Sequence, residues 1–153
     1  MIRSIRHTGI VVTDMDRALR FYCDLLGLSH VVIDTVVSSD IHARVTAVPG
    51  ARIRTVMLDA PDGIRIELLQ YLSHPRPAPQ RVDSCDIGCS HVAFTVDDVD
   101  RAYALLCGEG VAFNCPPQVD PTGYAKFAYC HDFDGTIVEL TQVLDQDRTP
   151  YGD

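Results

Sequence analysis

Two histidines and two glutamates stand at matching places in a chain that nearly repeats itself, and imidazole with carboxylate is a donor set able to hold a divalent metal ion. The stretch HTGIVVTDMDRALRFYC begins at His7, and HVAFTVDDVDRAYALLC begins at His91. At a constant offset of 84, Asp14 matches Asp98, Asp16-Arg17-Ala18 matches Asp100-Arg101-Ala102, and Cys23 matches Cys107. A second, independent alignment, at an offset of 72, lays PDGIRIELLQ (61–70) on FDGTIVELTQ (133–142) and so matches Glu67 with Glu139.

A lone strand histidine is ordinarily a hydrogen-bonded core or rim residue. A carboxylate in an apolar strand is rarer, because burying it unpaired is costly. Two of each, matched by separate alignments, favour a metal site made of His7, Glu67, His91 and Glu139. His30, His42, His74 and His131 have no counterpart in the other half and read as ordinary histidines.

The elements that must position these groups follow from period and punctuation. Residues 5–12 alternate as a strand; Asp14 is a natural N-cap, and Met15, Ala18, Leu19, Tyr22 and Leu26 mark one helix face ending near Gly27. Strand-like runs follow at 29–37, 42–48, 52–59 and 64–70, with Pro49-Gly50 and Pro61-Asp62-Gly63 as turns. The second half gives a strand at 90–96, a helix over 98–108 and strands near 111–115, 125–130 and 136–142. Strand parity puts Ile10, Val12, Ile66 and Leu68 on the face a helix would cover, and His7 and Glu67 on the other. The same parity sets His91 and Glu139 opposite Val92, Phe94, Val138 and Leu140. The pattern is α+β: a single domain over 1–153, made of module 1 (about 4–71) and module 2 (about 89–143) joined by the proline-bearing linker 72–88.

Composition narrows the function classes. A chain of 153 residues, 46% hydrophobic and 22% charged, reads as globular. The N-terminus MIRSIRHTGIVV lacks the apolar run of a signal peptide, and no stretch reaches membrane-spanning length, so the expected place is the cytoplasm. The six cysteines are then reduced thiols; Cys85 and Cys89, without a second pair, make a weak zinc motif. A net charge of −8 argues against nucleic acid and anionic membrane as partners. The first 81 residues nevertheless hold ten of the thirteen basic groups against eight acids, so an anionic ligand would be met there.

HTGIVVTDMDRALRFYCDLLGL, SHVAFTVDDVDRA and the paired DGIRIELLQ and DGTIVELTQ resemble the vicinal oxygen chelate superfamily, which includes glyoxalase I, methylmalonyl-CoA epimerase, extradiol dioxygenases and antibiotic-resistance proteins. The resemblance covers about residues 4–143. It implies two βαβββ modules whose mixed sheets curl into a cup around one divalent ion (nickel, cobalt, zinc, manganese or iron) held by His7, Glu67, His91 and Glu139. It also implies a small-molecule substrate and a homodimer, and the 72–88 linker is long enough for the cup to close within one chain. Four such ligands leave two cis positions on an octahedral ion for two vicinal substrate oxygens. That suits a lyase or isomerase that moves a proton beside a carbonyl through an enediolate or enolate. Extradiol cleavage, which uses two histidines and one carboxylate, and metal-free antibiotic binding are the alternatives. Two departures bear on the substrate: no stretch resembles the glutathione-holding Asn-Arg segment of glyoxalase I, and the epimerase's Glu-Gln-Gly strand is replaced by DIHARVTAV. Arg65, on the face of Glu67, is expected to hold that carboxylate ionised or to greet an anionic substrate group. Tyr124 is a second candidate for substrate contact. Glu139, with Ile137 and Thr141 as same-face neighbours, is the expected proton-transfer base, and Glu67 the alternative.

Overall fold

The computed structural model describes residues 2–78 and 82–148. The chain divides into two compact units, Met1–Pro79 and Gln80–Asp153. The first unit runs β1 (Thr8–Val11), α1 (Met15–Leu19), β2 (His30–Val37), α2 (Asp40–Thr46), β3 (Ile53–Asp59) and β4 (Arg65–Tyr71). The second runs β5 (His91–Thr95), α3 (Val99–Gly108), β6 (Ala112–Phe113), β7 (Gln118–Val119), β8 (Ala125–His131) and β9 (Ile137–Val143).

Each unit builds a mixed sheet, so the architecture is α+β as the sequence indicates. The first sheet has the order β1-β4-β3-β2 and the second β5-β9-β8-β6, with β7 also on β8. The pairs β1–β4 and β5–β9 are parallel, and the hairpin pairs β3–β4 and β8–β9 antiparallel. The covered faces are those the alternation selects. Ile10, Val12, Ile66 and Leu68 are buried in the first unit, Val138 and Leu140 in the second, under Met15, Ala18, Phe21 and Tyr22 or Val99 and Leu106. Both helices open alike: Asp14 accepts the Arg17 amide at 2.9 Å, and Asp98 accepts the Arg101 amide at 2.9 Å.

Two elements depart from the sequence reading. The first helix does not run evenly to Gly27: after Leu19 it widens into π-helical turns over Arg20–Leu25, and the Leu26 amide reaches five residues back to the Phe21 carbonyl at 3.0 Å. The widened turn buries two consecutive aromatic rings, Phe21 and Tyr22, packed edge to face. The run 42–48, read as strand-like, lies in α2 as far as Thr46. Ser39 caps its start, accepting the His42 amide at 3.3 Å, and Ala47, at φ 56°, turns the chain out of it. Local capping overrode a weak alternation. The strand at Gln118–Val119 escaped the sequence reading because it is only two residues long.

β2 lies at the sheet edge and carries Val31, Val32, Ile33 and Val36 substantially exposed, as are Ile41 and Val45 of α2 beyond it.

Candidate metal centre

In each unit one histidine and one glutamate meet through the atoms a metal would use. His7 immediately precedes β1, and Glu67 lies on the neighbouring β4 opposite Gly9; His7 Nε2 is 3.1 Å from Glu67 Oε2. His91 opens β5, and Glu139 lies on β9 opposite Ala93; His91 Nε2 is 3.1 Å from Glu139 Oε2. Parallel register makes the two pairs alike, because in both units the glutamate stands beside the residue two places after the histidine. Cis ligands on an octahedral ion with bonds of ~2.1–2.2 Å stand ~3.0–3.1 Å apart. The donor chemistry and spacing of each pair therefore fit half a metal shell. A hydrogen bond from Nε2–H has the same length, and the Nε2 tautomer separates the two. His7 Nδ1 is buried with no hydrogen-bond partner among the described residues. Within neither unit do the described residues gather a third His, Cys, Asp or Glu around the pair.

The surroundings of the two pairs differ. Thr141 donates its hydroxyl to Glu139 Oε1 at 2.8 Å. Tyr129 stands directly opposite Glu139 in the β8–β9 ladder, and its hydroxyl lies 3.4 Å from His91 Nε2 with the two ring centroids 5.1 Å apart. Burial first, and then the Glu139 charge and hydrogen bond, hold the Tyr129 phenol above its ordinary value. At the equivalent places beside Glu67 stand Met57 and Leu69.

Arg65 does not turn to Glu67. Its Nε donates to Asp59 Oδ1 at 2.6 Å across the β3–β4 ladder, while Asp59 Oδ2 lies 3.3 Å from His30 Nδ1. Arg65 and Asp59 share the face of Glu67, so the guanidinium lies on the metal-pair side of the sheet but is tethered sideways. Tyr124 precedes β8, five residues from Tyr129 and so about 17 Å along the strand from the Glu139 row. Tyr129 is the tyrosine at the pair, and the sequence reading missed it. The histidines without counterparts find local partners: His30 has Asp59, His42 has Ser39, His74 has Ser73 and His131 has Asn114. All six cysteines are free.

A model of the Glyoxalase/Bleomycin resistance protein/Dioxygenase superfamily matches residues 4–140. The chain is 30% identical over 140 residues to the uncharacterized protein YaeR of Escherichia coli (strain K12), covering 91% of this chain and 95% of that one. It is 28% identical to a lactoylglutathione lyase of Schizosaccharomyces pombe over 89% of this chain, spanning 46% of that relative. Among solved structures, a glyoxalase family protein from Bacillus cereus superposes with a TM-score of 0.83 at 26% identity, over 95% of this chain and 97% of that one. The fosfomycin resistance protein FosX of Listeria monocytogenes shares the fold at a TM-score of 0.60 and 18% identity, over 92% of this chain and 91% of that one. The repeat, the two mixed sheets and these likenesses have one explanation: the chain belongs to the Glyoxalase/Bleomycin resistance protein/Dioxygenase superfamily.

Proposed function

We propose that this chain is a divalent-metal-dependent lyase or isomerase that moves a proton beside a carbonyl of a small anionic substrate. In this reading His7, Glu67, His91 and Glu139 hold one ion. The observation that carries the reading is the twin pair: two imidazole nitrogens, each 3.1 Å from a carboxylate oxygen, at repeat-related positions in both units. The ion would supply Lewis acidity, stabilising the negative charge that develops on a carbonyl oxygen as the neighbouring carbon loses its proton.

The chain's own groups do the rest. The histidines would hold the ion through Nε2. The glutamates would offset its charge, and one of them would take the substrate proton and return it. Arg65, held by Asp59 through Nε, keeps its outer nitrogens for a carboxylate or phosphate on the substrate. Met57, Leu69 and Val11 line the same face of the first sheet and keep water from the reacting carbon. The lactoylglutathione lyase among the relatives, whose name describes a glyoxalase reaction, supports this class.

Two measurements test it. Metal analysis after purification without chelator, then reconstitution with nickel, cobalt, zinc or manganese, should give one ion per pair of half-sites; His7→Ala and His91→Ala should each strip it while circular dichroism stays native. A screen of the reconstituted protein against 2-oxoaldehyde hemithioacetals, acyl-CoA thioesters and catechols should find turnover in the first two classes. Catechol cleavage with oxygen uptake would replace this reading with the dioxygenase one. A protein that binds none of these metals would be a ligand-sequestering module instead.

A further inference from the structure

We infer that the substrate is a small amphiphilic acid: Arg65 holds its carboxylate or phosphate on one side of the reacting carbonyl, and an apolar group lies over Val11 and Leu69 on the other. Asp59 and His30 are the residues that position the Arg65 fork. The inference rests on the metal-dependent reading above and names the class of substrate that the first unit's site face selects.

The register of the first sheet sorts that face into rows. Arg65, Asp59 and His30 stand side by side on β4, β3 and β2 and form one charged row. The next row on the same face holds Gly9, Glu67 and Met57, and the one after it Val11, Leu69 and Thr55. Successive rows lie two residues, about 7 Å, apart along the strands. Glu67 therefore stands between a cationic fork and an apolar edge, and a molecule whose carbonyl sits there meets one on each side. Two observations favour an occupant. Val11 is 61% exposed, although Ile10 and Val12 on the other face of the same strand are buried. Gly9 lies beside Glu67 without a positive φ, so the backbone does not demand a glycine there, and its missing side chain leaves the floor next to the carboxylate open.

The charged row aims the guanidinium. Arg65 Nε donates to Asp59 Oδ1 at 2.6 Å, and the other oxygen of that carboxylate lies 3.3 Å from His30 Nδ1. With Nε engaged, the two terminal nitrogens remain as a fork that can take two oxygens of an anion. Asp59 cancels part of the charge, so the row selects by directed hydrogen bonds more than by field. Ten basic groups against eight acids over residues 1–81 add a long-range attraction. The alternative is a plain cross-strand ion pair, and partly exposed pairs of that kind contribute little to stability. Asp59 and His30 touch no substrate in this account and act through Arg65.

Octanoate, octyl phosphate and acetate are the probes, titrated into metal-free protein by calorimetry and by amide and methyl NMR. Octanoate or octyl phosphate should bind, its head shifting the Arg65 signals and its chain the Val11 and Leu69 methyls; the tighter of the two identifies the acid. From acetate to octanoate, affinity should rise by up to about fourfold per methylene. Arg65→Gln should weaken octanoate binding by about tenfold or more, and Arg65→Lys, which keeps the charge without the fork, should fall between. Val11→Asp should abolish the dependence on chain length. Asp59→Asn separates positioning from repulsion: losing a carboxylate that aims the fork lowers the affinity, and a raised or unchanged affinity overturns the positioning role. Circular dichroism checks that each variant is folded. Acetate binding as tightly as octanoate, shifts confined to another face, or full affinity in both Arg65 variants would overturn the substrate class. Cobalt(II) uptake, measured separately, tests the metal reading. A protein that takes up cobalt yet binds neither acid loses the substrate class alone, and one that takes up none loses the placement of the carbonyl with it.

Discussion

Cys130 shows how strongly one side chain's surroundings set its chemistry. It sits on β8 with no accessible surface, and burial, with the Asp132 charge adding to it, pushes its thiol up to about 12. Alkylation of the native protein at pH 8, followed by peptide mass spectrometry, should modify the exposed Cys85, Cys107 and Cys115 and leave Cys130 untouched until denaturant is added. The candidate ligands were legible at this scale because the repeat supplied an internal comparison for each of them. Tyr129 was not, since its counterpart is Met57 and its contact with Glu139 depends on cross-strand register. The signal was nonetheless present: Tyr129 and Glu139 are equidistant from Asp134 in the DFDG turn, just as Met57 and Glu67 are from Asp62. Arg65 illustrates the opposite error. Sharing a face with Glu67 was read correctly, but a nearer acid across the ladder took the guanidinium.

Between elements, the two units also repeat the ties that hold helix to sheet, with differences that make predictions. Arg54 on β3 binds Asp16 on α1 at 3.1 Å, and Lys126 on β8 binds Asp100 on α3 at 2.5 Å. Arg54 adds a two-pronged contact with Asp34 on β2, which holds that carboxyl below its usual value. The glutamines that close the two DG strands work in opposite senses. Gln70 donates to the Thr13 carbonyl at 3.0 Å, whereas Gln142 accepts from the Val99 amide at 3.1 Å. A glutamate keeps the acceptor and loses the donor. Gln142→Glu should therefore be tolerated within a few tenths of a kcal/mol, while Gln70→Glu should cost about 1–3 kcal/mol in urea unfolding. In the β7–β8 turn the Asp120 carboxylate accepts from the Thr122 hydroxyl and amide and from the Ala125 amide, which holds its pKa below the ordinary value. A depressed carboxyl contributes stability above its unfolded value and loses it as pH falls through the folded one. Exchange protection at the Ala125 amide should thus persist down to about pH 4 and fall below it, and Asp120→Asn should lower the protection already at pH 7. The strands of both hairpins were legible from alternation and DG turns. α2 was not, because its capping signal, Ser39 followed by Asp40, lies outside the window in which 42–48 alternates.

For the whole molecule, each unit buries its own set of apolar side chains, so core damage should be local. Leu68→Ala and Leu140→Ala each remove a fully buried side chain at repeat-related positions, and each should cost about 2–5 kcal/mol. Hydrogen exchange resolved by unit should place the loss in residues of the mutated unit. A second consequence concerns β2. Its Val31, Val32, Ile33 and Val36 are exposed on the edge strand, and its one acid, Asp34, is drawn onto Arg54 instead of standing out as a guard. Keeping such an edge from finding another copy falls to long-range repulsion, which the net charge of −8 supplies at neutral pH and which vanishes near the isoelectric point of about 5.0. Turbidity should therefore rise steeply as the buffer approaches pH 5, and Ile33→Lys should suppress it. An acid limb in any activity profile of the parent chain would then record colloidal loss of protein, and the titration of its carboxylates becomes readable only in the lysine variant.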